Sequence, residues 1–301
     1  MDYQIDGISF QLQQAHDLSW LRSFGRVFAV FSQNDSGNIS FGVEKDARRY
    51  FIKVAGLKTM EAVRTPREAV AALKGAMPVY AAIKHPQLIE LIDHFPQADL
   101  YIAVFKWAQG DCLFDHWNFA QYRADPQLLS PAARFKRLPL PKRLAAFDVV
   151  LSFLSAVAAS GYVAVDFYDG SIMYDFATDT TTICDIDFYR KKPAINEMGT
   201  EFFGSKRLKA PEEYRYGAAI DEATNVFTAG ALLCHFFGSY TEAQIRRMYE
   251  TNAFFPSSPE TWELNRACYQ VARKSVSPSR SSRYPTIAAL QAAWQRALAA
   301  Q

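Results

Sequence analysis

The chain has 301 residues, of which 50% are hydrophobic and 14% aromatic. This composition excludes a disordered chain, and the length suffices for two lobes with a large apolar interior. Lys and Arg total 33 against 31 Asp and Glu, so the net charge of +2 excludes a broad attraction to nucleic acid or anionic membranes. Any anionic ligand must therefore be bound locally.

The cysteines lie far apart along the chain, at Cys112, Cys184, Cys234 and Cys268. Without C-x-x-C spacing they indicate neither a zinc site nor a disulfide framework, so reduced thiols are expected. The N-terminal residues lack the order of a secretory signal, and no apolar run approaches the length of a membrane span. We expect a cytoplasmic protein with no nucleic-acid or membrane partner.

The first third of the chain predicts a small antiparallel sheet with one helix. Short β-type runs separated by turn residues predict three strands over residues 25–55. A helix is predicted from Pro66 to Ile83, and two further strands are predicted within residues 85–110.

The remainder of the chain predicts mainly helices. Apolar residues at helical spacing over 141–160 indicate a buried helix, and two short strand-like segments follow within 162–189. Helical patterns continue from residue 210 to the end. Strands followed by helices are typical of an α+β fold.

Two aspartates each follow an apolar strand-like run, Asp166 in YVAVDFYDG and Asp187 in CDIDFY. The hairpin predicted between them places both carboxylates on one side, and such a pair is costly without a cation. The opposing interpretation is a pair of turn-capping aspartates.

Lys53 interrupts the apolar strand YFIKVAG, where an inward charge needs a partner. An exposed position on a half-buried strand is the alternative. The preceding turn, residues 32–39, either covers phosphates through its amides or is an ordinary hairpin loop.

Taken in order, these segments resemble the motifs of eukaryotic-type protein kinases. The 32–39 turn is similar to the glycine-rich loop, YFIK to the V-A-I-K strand, YVAVDFYDG to the catalytic loop and Asp187-Phe188-Tyr189 to D-F-G. Downstream, GSKRLKAPEEY resembles the segment that ends in A-P-E, and NVFTAG resembles the D-V-W-S-x-G helix. Arg283 stands where the family keeps an arginine that pairs with the glutamate of A-P-E, here Glu212.

The resemblance implies a protein kinase-like two-lobed fold, with a nucleotide-covering lobe over 1–105 and a mainly helical catalytic lobe over 106–301. It implies ATP and Mg²⁺ as cofactors. Asp166 takes the place of the catalytic aspartate and Lys53 that of the phosphate-binding lysine. The other implied site residues are Gly37, Asn38 and Ile39 over the phosphates, Glu68 as partner of Lys53 with Glu61 as the alternative, Phe105, Lys106 and Trp107 at the adenine, and Asp187 with Ser171 at the metal.

Several positions depart from the family pattern. Ala164 and Val165 replace the histidine and arginine before the catalytic aspartate, and Ser171 replaces the metal-binding asparagine, with Asp169 or Asp185 as possible substitutes. Three functions follow. The first is a kinase acting on Ser or Thr of a protein substrate, which the A-P-E segment favours. The others are a small-molecule kinase of the aminoglycoside or choline type, and a pseudokinase that serves as a binding module.

Overall fold

The computed structural model describes residues 1–33, 36–115, 118–125 and 127–300. The chain divides into two compact units, one of residues 1–81 and 88–109, the other of residues 82–87 and 110–301. Helices and antiparallel sheets both occur, so the expected α+β class is confirmed. The division into lobes at residues 105 and 106 stays a prediction.

The first unit begins with a hairpin of strands β1 (Asp2–Ile5) and β2 (Ile8–Gln11). Its turn is Asp6-Gly7, and both residues have positive φ, 51° and 91°. Asp-Gly between alternating polar and apolar residues is a strong hairpin signal that the sequence analysis did not use.

A five-stranded antiparallel sheet forms the body of this unit. Its strands are β3 (Arg26–Phe31), β4 (Asn38–Lys45), β5 (Arg48–Ala55), β6 (Leu91–Gln97) and β7 (Leu100–Lys106). Their order is β3-β4-β5-β7-β6. The predicted strands over 25–55 and within 85–110 are confirmed. Apolar side chains of β4, β5 and β7, including Phe41, Ile52 and Ile102, form one core cluster.

Helix α1 (Pro66–Ala82) follows the third of these strands, as predicted. Its buried side chains include Ala69, Leu73, Ala76 and Met77, at the three- and four-residue spacing of one helix face. That face carries no charged side chain.

In the second unit the strands are short and occur in small antiparallel groups. They are β8 (Asp111–Cys112), β9 (Tyr162–Val163), β10 (Ile172–Asp175), β11 (Thr180–Ile183), β12 (Arg190–Lys191), β13 (Ala194–Ile195) and β14 (Ala219–Ile220). The groups are β11-β10-β8, β12-β9 and β13-β14.

Helices make up most of the second unit. They are α2 (Phe119–Ala124), α3 (Pro131–Lys136), α4 (Leu140–Ala159), α5 (Glu222–Phe237), α6 (Glu242–Thr251), α7 (Arg266–Ser275) and α8 (Ile287–Ala299). The predicted buried helix over 141–160 is α4. The ring of its Phe147 lies 5.6 Å from Trp294 of α8, which in turn lies 5.9 Å from Phe237 of α5. Within the described ranges, none of the helices has the length and apolar character needed to cross a bilayer.

A buried ion pair links the segment before α5 to the segment before α8. Both guanidinium NH2 groups of Arg283 donate to the Glu212 carboxylate, at 2.6 and 2.9 Å, and both side chains are fully buried. Arg280 contacts the same carboxylate at 3.0 Å, and Thr224 donates to it at 2.9 Å. The predicted pairing of Glu212 with Arg283 is confirmed.

Removing either member of this pair leaves a buried charge without its partner. We expect Arg283→Met to lower the free energy of unfolding by about 3 to 5 kcal/mol. The control is Arg280→Met, because Arg280 contacts the same Glu212 oxygen but is 28% exposed and also pairs with Asp221; its cost should be smaller than that of Arg283→Met. Urea unfolding of the three proteins measures both values. Equal costs for the two variants would contradict a special role of the buried pair.

Candidate active site

Asp166 lies where the chain leaves the apolar core of the second unit. Val163, Ala164 and Val165 before it are almost wholly buried, whereas Asp166 is half-buried. Its φ is 60°, a left-handed conformation that aspartate tolerates better than most residues. The carboxylate is therefore presented at the edge of a rigid apolar layer.

The side chain of Asn225 on α5 fixes the approach to Asp166. Its Oδ1 accepts a hydrogen bond from the Ala164 N–H at 2.9 Å, and its Nδ2 donates to the Ala164 carbonyl at 2.6 Å. Asparagine can do both, whereas the aspartate of the kinase helix motif can only accept. Asn225 therefore holds the backbone two residues before Asp166.

The Tyr168 ring packs against Gly170 within the loop that follows Asp166. A Cβ at Gly170 would lie 2.3 Å from the Tyr168 ring, so only glycine leaves room for the phenol there. The thiol of Cys112, in strand β8, donates to the Gly170 carbonyl, with 3.1 Å between sulfur and oxygen. The loop is consequently packed tightly between Asp166 and Ser171.

Ser171 connects this loop to the strand that precedes Asp185. Its N–H donates to the Tyr168 carbonyl, and its own carbonyl accepts from the Cys184 N–H, both at 2.9 Å. Asp185 comes directly after Cys184, is exposed, and has a φ of 55°. The hairpin β10–β11 thus brings Asp185 alongside the loop that begins at Asp166.

Burial and neighbouring carboxylates raise the pKa of two tyrosines, Tyr168 and Tyr189. Burial raises the pKa of Tyr168, and the charges of Asp166 and Asp185 raise it further. The pKa of Tyr189 is raised by burial, then by Asp185, Cys184 and Asp166. Both carboxylates therefore act on the same two phenols, which keeps the phenols neutral.

Asp185 is thus a carboxylate that the described contacts associate with the Asp166 loop, and metal binding by Asp187 stays a prediction. Asp187 is half-buried two residues further on, beyond the fully buried Ile186. The sequence match to D-F-G had selected Asp187, because Phe188 follows it. If the motif is aligned two residues earlier, Asp185 takes the place of its aspartate and the buried Ile186 takes the place of its phenylalanine.

Ser171 was expected to bind metal. Its side chain is fully buried, and its hydroxyl lies 3.5 Å from the Asp166 carbonyl oxygen. These contacts give Ser171 a role in holding the loop, and its metal ligation stays a prediction. Asp169 is paired with Arg207 at 2.6 Å.

A second group of charges lies beside Asp166, on the segment that precedes α5. Asp166, Lys209 and Glu213 line one small hollow together with Gly204, Ser205 and Leu208. The Glu213 carboxylate accepts from the Ala210 N–H at 2.7 Å, and the Lys209 ammonium donates to the Phe202 carbonyl. Sequence reasoning missed Lys209 and Glu213, although charged residues within a segment ending in an apolar A-P are a usable signal.

In the first unit, Lys53 lies in the middle of β5, paired with Ser40 on β4 and Ala103 on β7. It is half-buried, whereas Ile52 and Val54 on either side are fully buried. Because side chains alternate along a strand, Lys53 points to the face opposite these two residues.

The predicted phosphate-covering turn is described in part, since Asn34 and Asp35 lie outside the described residues. Gly37 has a φ of 78°, as expected for a turn glycine. Ile39 is fully buried in the sheet core, and Asn38 is buried, with no hydrogen-bond partner for its Oδ1 among the described residues.

The prediction that Glu68 orients Lys53 is wrong. Its carboxylate Oε2 accepts hydrogen bonds from the Thr65 N–H and hydroxyl, both at 2.8 Å, at the start of α1. This is a capping box, signalled by Thr65-Pro66-Arg67-Glu68 in the sequence. The bonds to Thr65 lower the pKa of Glu68 and keep its carboxylate at the exposed helix end.

The predicted adenine-binding residues end strand β7. The Lys106 N–H donates to the Glu90 carbonyl at 2.9 Å, and the Trp107 N–H donates to the Arg49 carbonyl at 3.1 Å. Phe105 is buried against Phe51 and Tyr80. These two N–H groups are therefore engaged within the first unit, and adenine contact at this segment stays a prediction.

The donor chemistry of Asp166 and Asp185 fits magnesium, which prefers carboxylate oxygens. Among the described residues, no group of three or more His, Cys, Asp and Glu is placed to hold a metal ion. Magnesium does not require such a cage, because it is usually bound by one or two carboxylates together with phosphates and water.

No protein-family model matches this chain, and no curated protein matches it.

The buried Glu213 carboxyl gives the second unit a testable pH dependence. Burial raises its pKa to about 8 from the ordinary 4.5, although Ala210 and Lys209 act in the opposite direction. Between these values the folded state holds a proton that the unfolded state has lost, so the free energy of unfolding falls as pH rises.

We expect Glu213→Gln to reduce this decline, since glutamine keeps an acceptor for Ala210 and carries no charge. Urea unfolding at about pH 5 and about pH 8 measures the decline. Glu197→Gln is the control because Glu197 is exposed. An unchanged decline in Glu213→Gln would show that another group causes it.

Proposed function

We propose that this protein is an ATP-dependent phosphotransferase that acts on a hydroxyl group with the help of Mg²⁺. The observation that carries the proposal is the association of Asp166 and Asp185 at the ends of two short backbone segments held by Asn225 and Ser171. One carboxylate to receive a proton and another to bind a metal are what phosphoryl transfer needs.

In this proposal Asp166 orients the acceptor hydroxyl. As the hydroxyl oxygen forms its bond to the γ-phosphorus, an Asp166 carboxylate oxygen takes the hydroxyl proton. The bond from that phosphorus to the β–γ bridging oxygen breaks, and ADP leaves. Asp185 binds Mg²⁺, which when present neutralises phosphate charge.

Lys53 is assigned to the α and β phosphates. It is half-buried between two fully buried residues, and a strand interior of this kind holds an ammonium group in a fixed direction. Hydrogen bonds from a charged donor to phosphate are about twice as strong as neutral ones.

A protein substrate fits the second unit best. The segment 204–212 ends in A-P-E, and its glutamate is anchored by the buried Arg283. A segment that is anchored by this ion pair and lies beside Asp166 offers a fixed surface against which a peptide chain can lie. We therefore propose a Ser or Thr side chain as the acceptor.

A binding module without turnover is the second candidate. One observation favours it: the buried face of α1 carries Ala76 and other apolar residues, and the single acidic side chain of that helix, Glu68, is used as a cap. Glu68 is therefore not the carboxylate that orients Lys53. Such a module binds ATP but transfers no phosphate.

The proposal is tested by transfer of labelled γ-phosphate from ATP to a generic protein acceptor in the presence of Mg²⁺. We expect Asp166→Asn to lower kcat by roughly 10²- to 10⁴-fold, the usual value of a positioned acid–base group. Asp185→Asn should lower activity by a similar factor and raise the Mg²⁺ concentration needed for half-maximal rate. Asp187→Asn is the matched control and should stay within about tenfold of the wild type.

Equal labelling by the wild type and Asp166→Asn would mean that the signal comes from a contaminant, and the enzymatic proposal would be lost. A loss confined to Asp187→Asn would return the metal to the position that the sequence match first selected. ATP binding without labelling would favour the binding module.

Lys53 is tested by nucleotide binding. We expect Lys53→Met to weaken Mg²⁺–ATP binding by about 10- to 100-fold, because a charge-assisted hydrogen bond contributes about 1.5 to 3 kcal/mol. Lys74→Met, an exposed position on α1, is the control. Titration calorimetry measures both. Wild-type affinity in Lys53→Met would remove Lys53 from the phosphate site.

A further inference from the structure

Arg207 and Asp169 form a buried ion pair between the 204–210 segment and the loop that begins at Asp166. The Arg207 guanidinium donates to the Asp169 carboxylate at 2.6 Å, and each side chain is only 10% exposed. The two residues are 38 positions apart in the chain. The contact is therefore a tertiary link between two segments that both border the Asp166 carboxylate.

The surroundings of Arg207 make the link specific. Its guanidinium lies over the Phe114 ring, with 4.3 Å to the ring centroid. Burial acts to lower the pKa of Arg207, but the charge and hydrogen bond of Asp169, together with Tyr249, outweigh burial and the pKa is raised. A charge held in such an apolar place depends on its partner, because without it the desolvation cost is uncompensated.

On one side, the link holds the loop of Asp166. Asp169 begins a single 3-10 turn over Asp169–Ser171, and the Ser171 N–H donates to the Tyr168 carbonyl. A displacement of Asp169 must therefore move the backbone that connects Asp166 to Ser171.

On the other side, the link holds the segment 204–210. Gly204, Ser205, Leu208 and Lys209 from this segment line the hollow that contains Asp166. Lys209 is buried and donates to the Phe202 carbonyl, so its own contacts tie the segment back on itself. Arg207 of this segment bonds to the loop through Asp169.

The placement of the two charges indicates how the segment is ordered. The cation stands on the segment and the anion on the loop, and Val165, directly before Asp166, is fully buried and apolar. A permanent arginine–carboxylate bond already supplies the connection that a phosphoryl group can create elsewhere.

We propose that Arg207 is a positioning residue whose bond to Asp169 orders the segment 204–210 and the Asp166 loop together, without phosphorylation of the segment. The inference rests on the proposed phosphotransfer, since it states how that site is ordered. It concerns geometry: a displacement of about 1 Å at reacting groups can cost roughly 10²-fold in rate.

The first experiment compares Arg207→Met with Arg215→Met, an exposed arginine of the same unit. Hydrogen exchange of peptides covering residues 199–210 should become faster in Arg207→Met and stay unchanged in Arg215→Met. In the phosphotransfer assay, kcat of Arg207→Met should fall by about 10-fold or more, while KM for ATP stays within about twofold.

The second experiment separates positioning from stability. The double variant Asp169→Asn/Arg207→Met removes both charges, so its Tm should recover toward wild type while kcat stays low. Treatment of the wild type with a broad-specificity protein phosphatase should leave kcat unchanged.

Three results would overturn the inference: wild-type exchange of residues 199–210 in Arg207→Met, recovery of kcat together with Tm in the double variant, or loss of wild-type activity after phosphatase treatment. If the wild type transfers no phosphate at all, the proposed function fails. The exchange measurement still decides whether Arg207 orders the segment.

Discussion

Two aspartates with left-handed backbone, Asp166 and Asp185, set the constraint on which the second unit depends. A non-glycine residue with positive φ costs free energy and persists only where its surroundings determine it. Asp46 and Asp179 also have positive φ, but they lie in the tight connections of the β4–β5 and β10–β11 hairpins, where such residues are common. Asp166 stands between the buried Val165 and Phe167, and Asp185 is the exposed residue before the fully buried Ile186.

The neighbouring contacts account for how this conformation is held. Asn225 satisfies both backbone groups of Ala164, and Ser171 joins the Asp166 loop to the strand before Asp185. Behind them, the fully buried Glu212–Arg283 pair fixes the segment that leads into α5, and α5 is the helix that carries Asn225. Contacts therefore connect the Glu212–Arg283 ion pair, through α5 and Asn225, to the edge of the candidate site. Buried pairs of this kind add little net stability, but they are strongly destabilising when broken.

The sequence predicted the parts whose signals are local or repeated. The strands over 25–55, helix α1 and the buried helix α4 follow from periodicity, and Glu212 with Arg283 follows from a motif. It missed Arg207–Asp169, because these residues are 38 positions apart and no motif in the sequence connects them. Glu68 is predicted to pair with Lys53, but in the structure it accepts hydrogen bonds from the nearby Thr65 and caps the start of α1. Asp187 is predicted as the metal ligand from the adjacent Phe188, and this stays a prediction, whereas the backbone bond from Cys184 to Ser171 places Asp185 beside the Asp166 loop.

The central claim is that Asp166 and Asp185 serve one reaction, with Asp185 as the metal ligand. A crystal structure with Mg²⁺ and a non-hydrolysable ATP analogue tests it most directly. The account predicts an Mg²⁺ ion about 2.1 Å from an Asp185 carboxylate oxygen, with phosphate oxygens completing its ligands. A metal bound by Asp187 with Asp185 turned to solvent, or nucleotide bound far from Asp166, would contradict it.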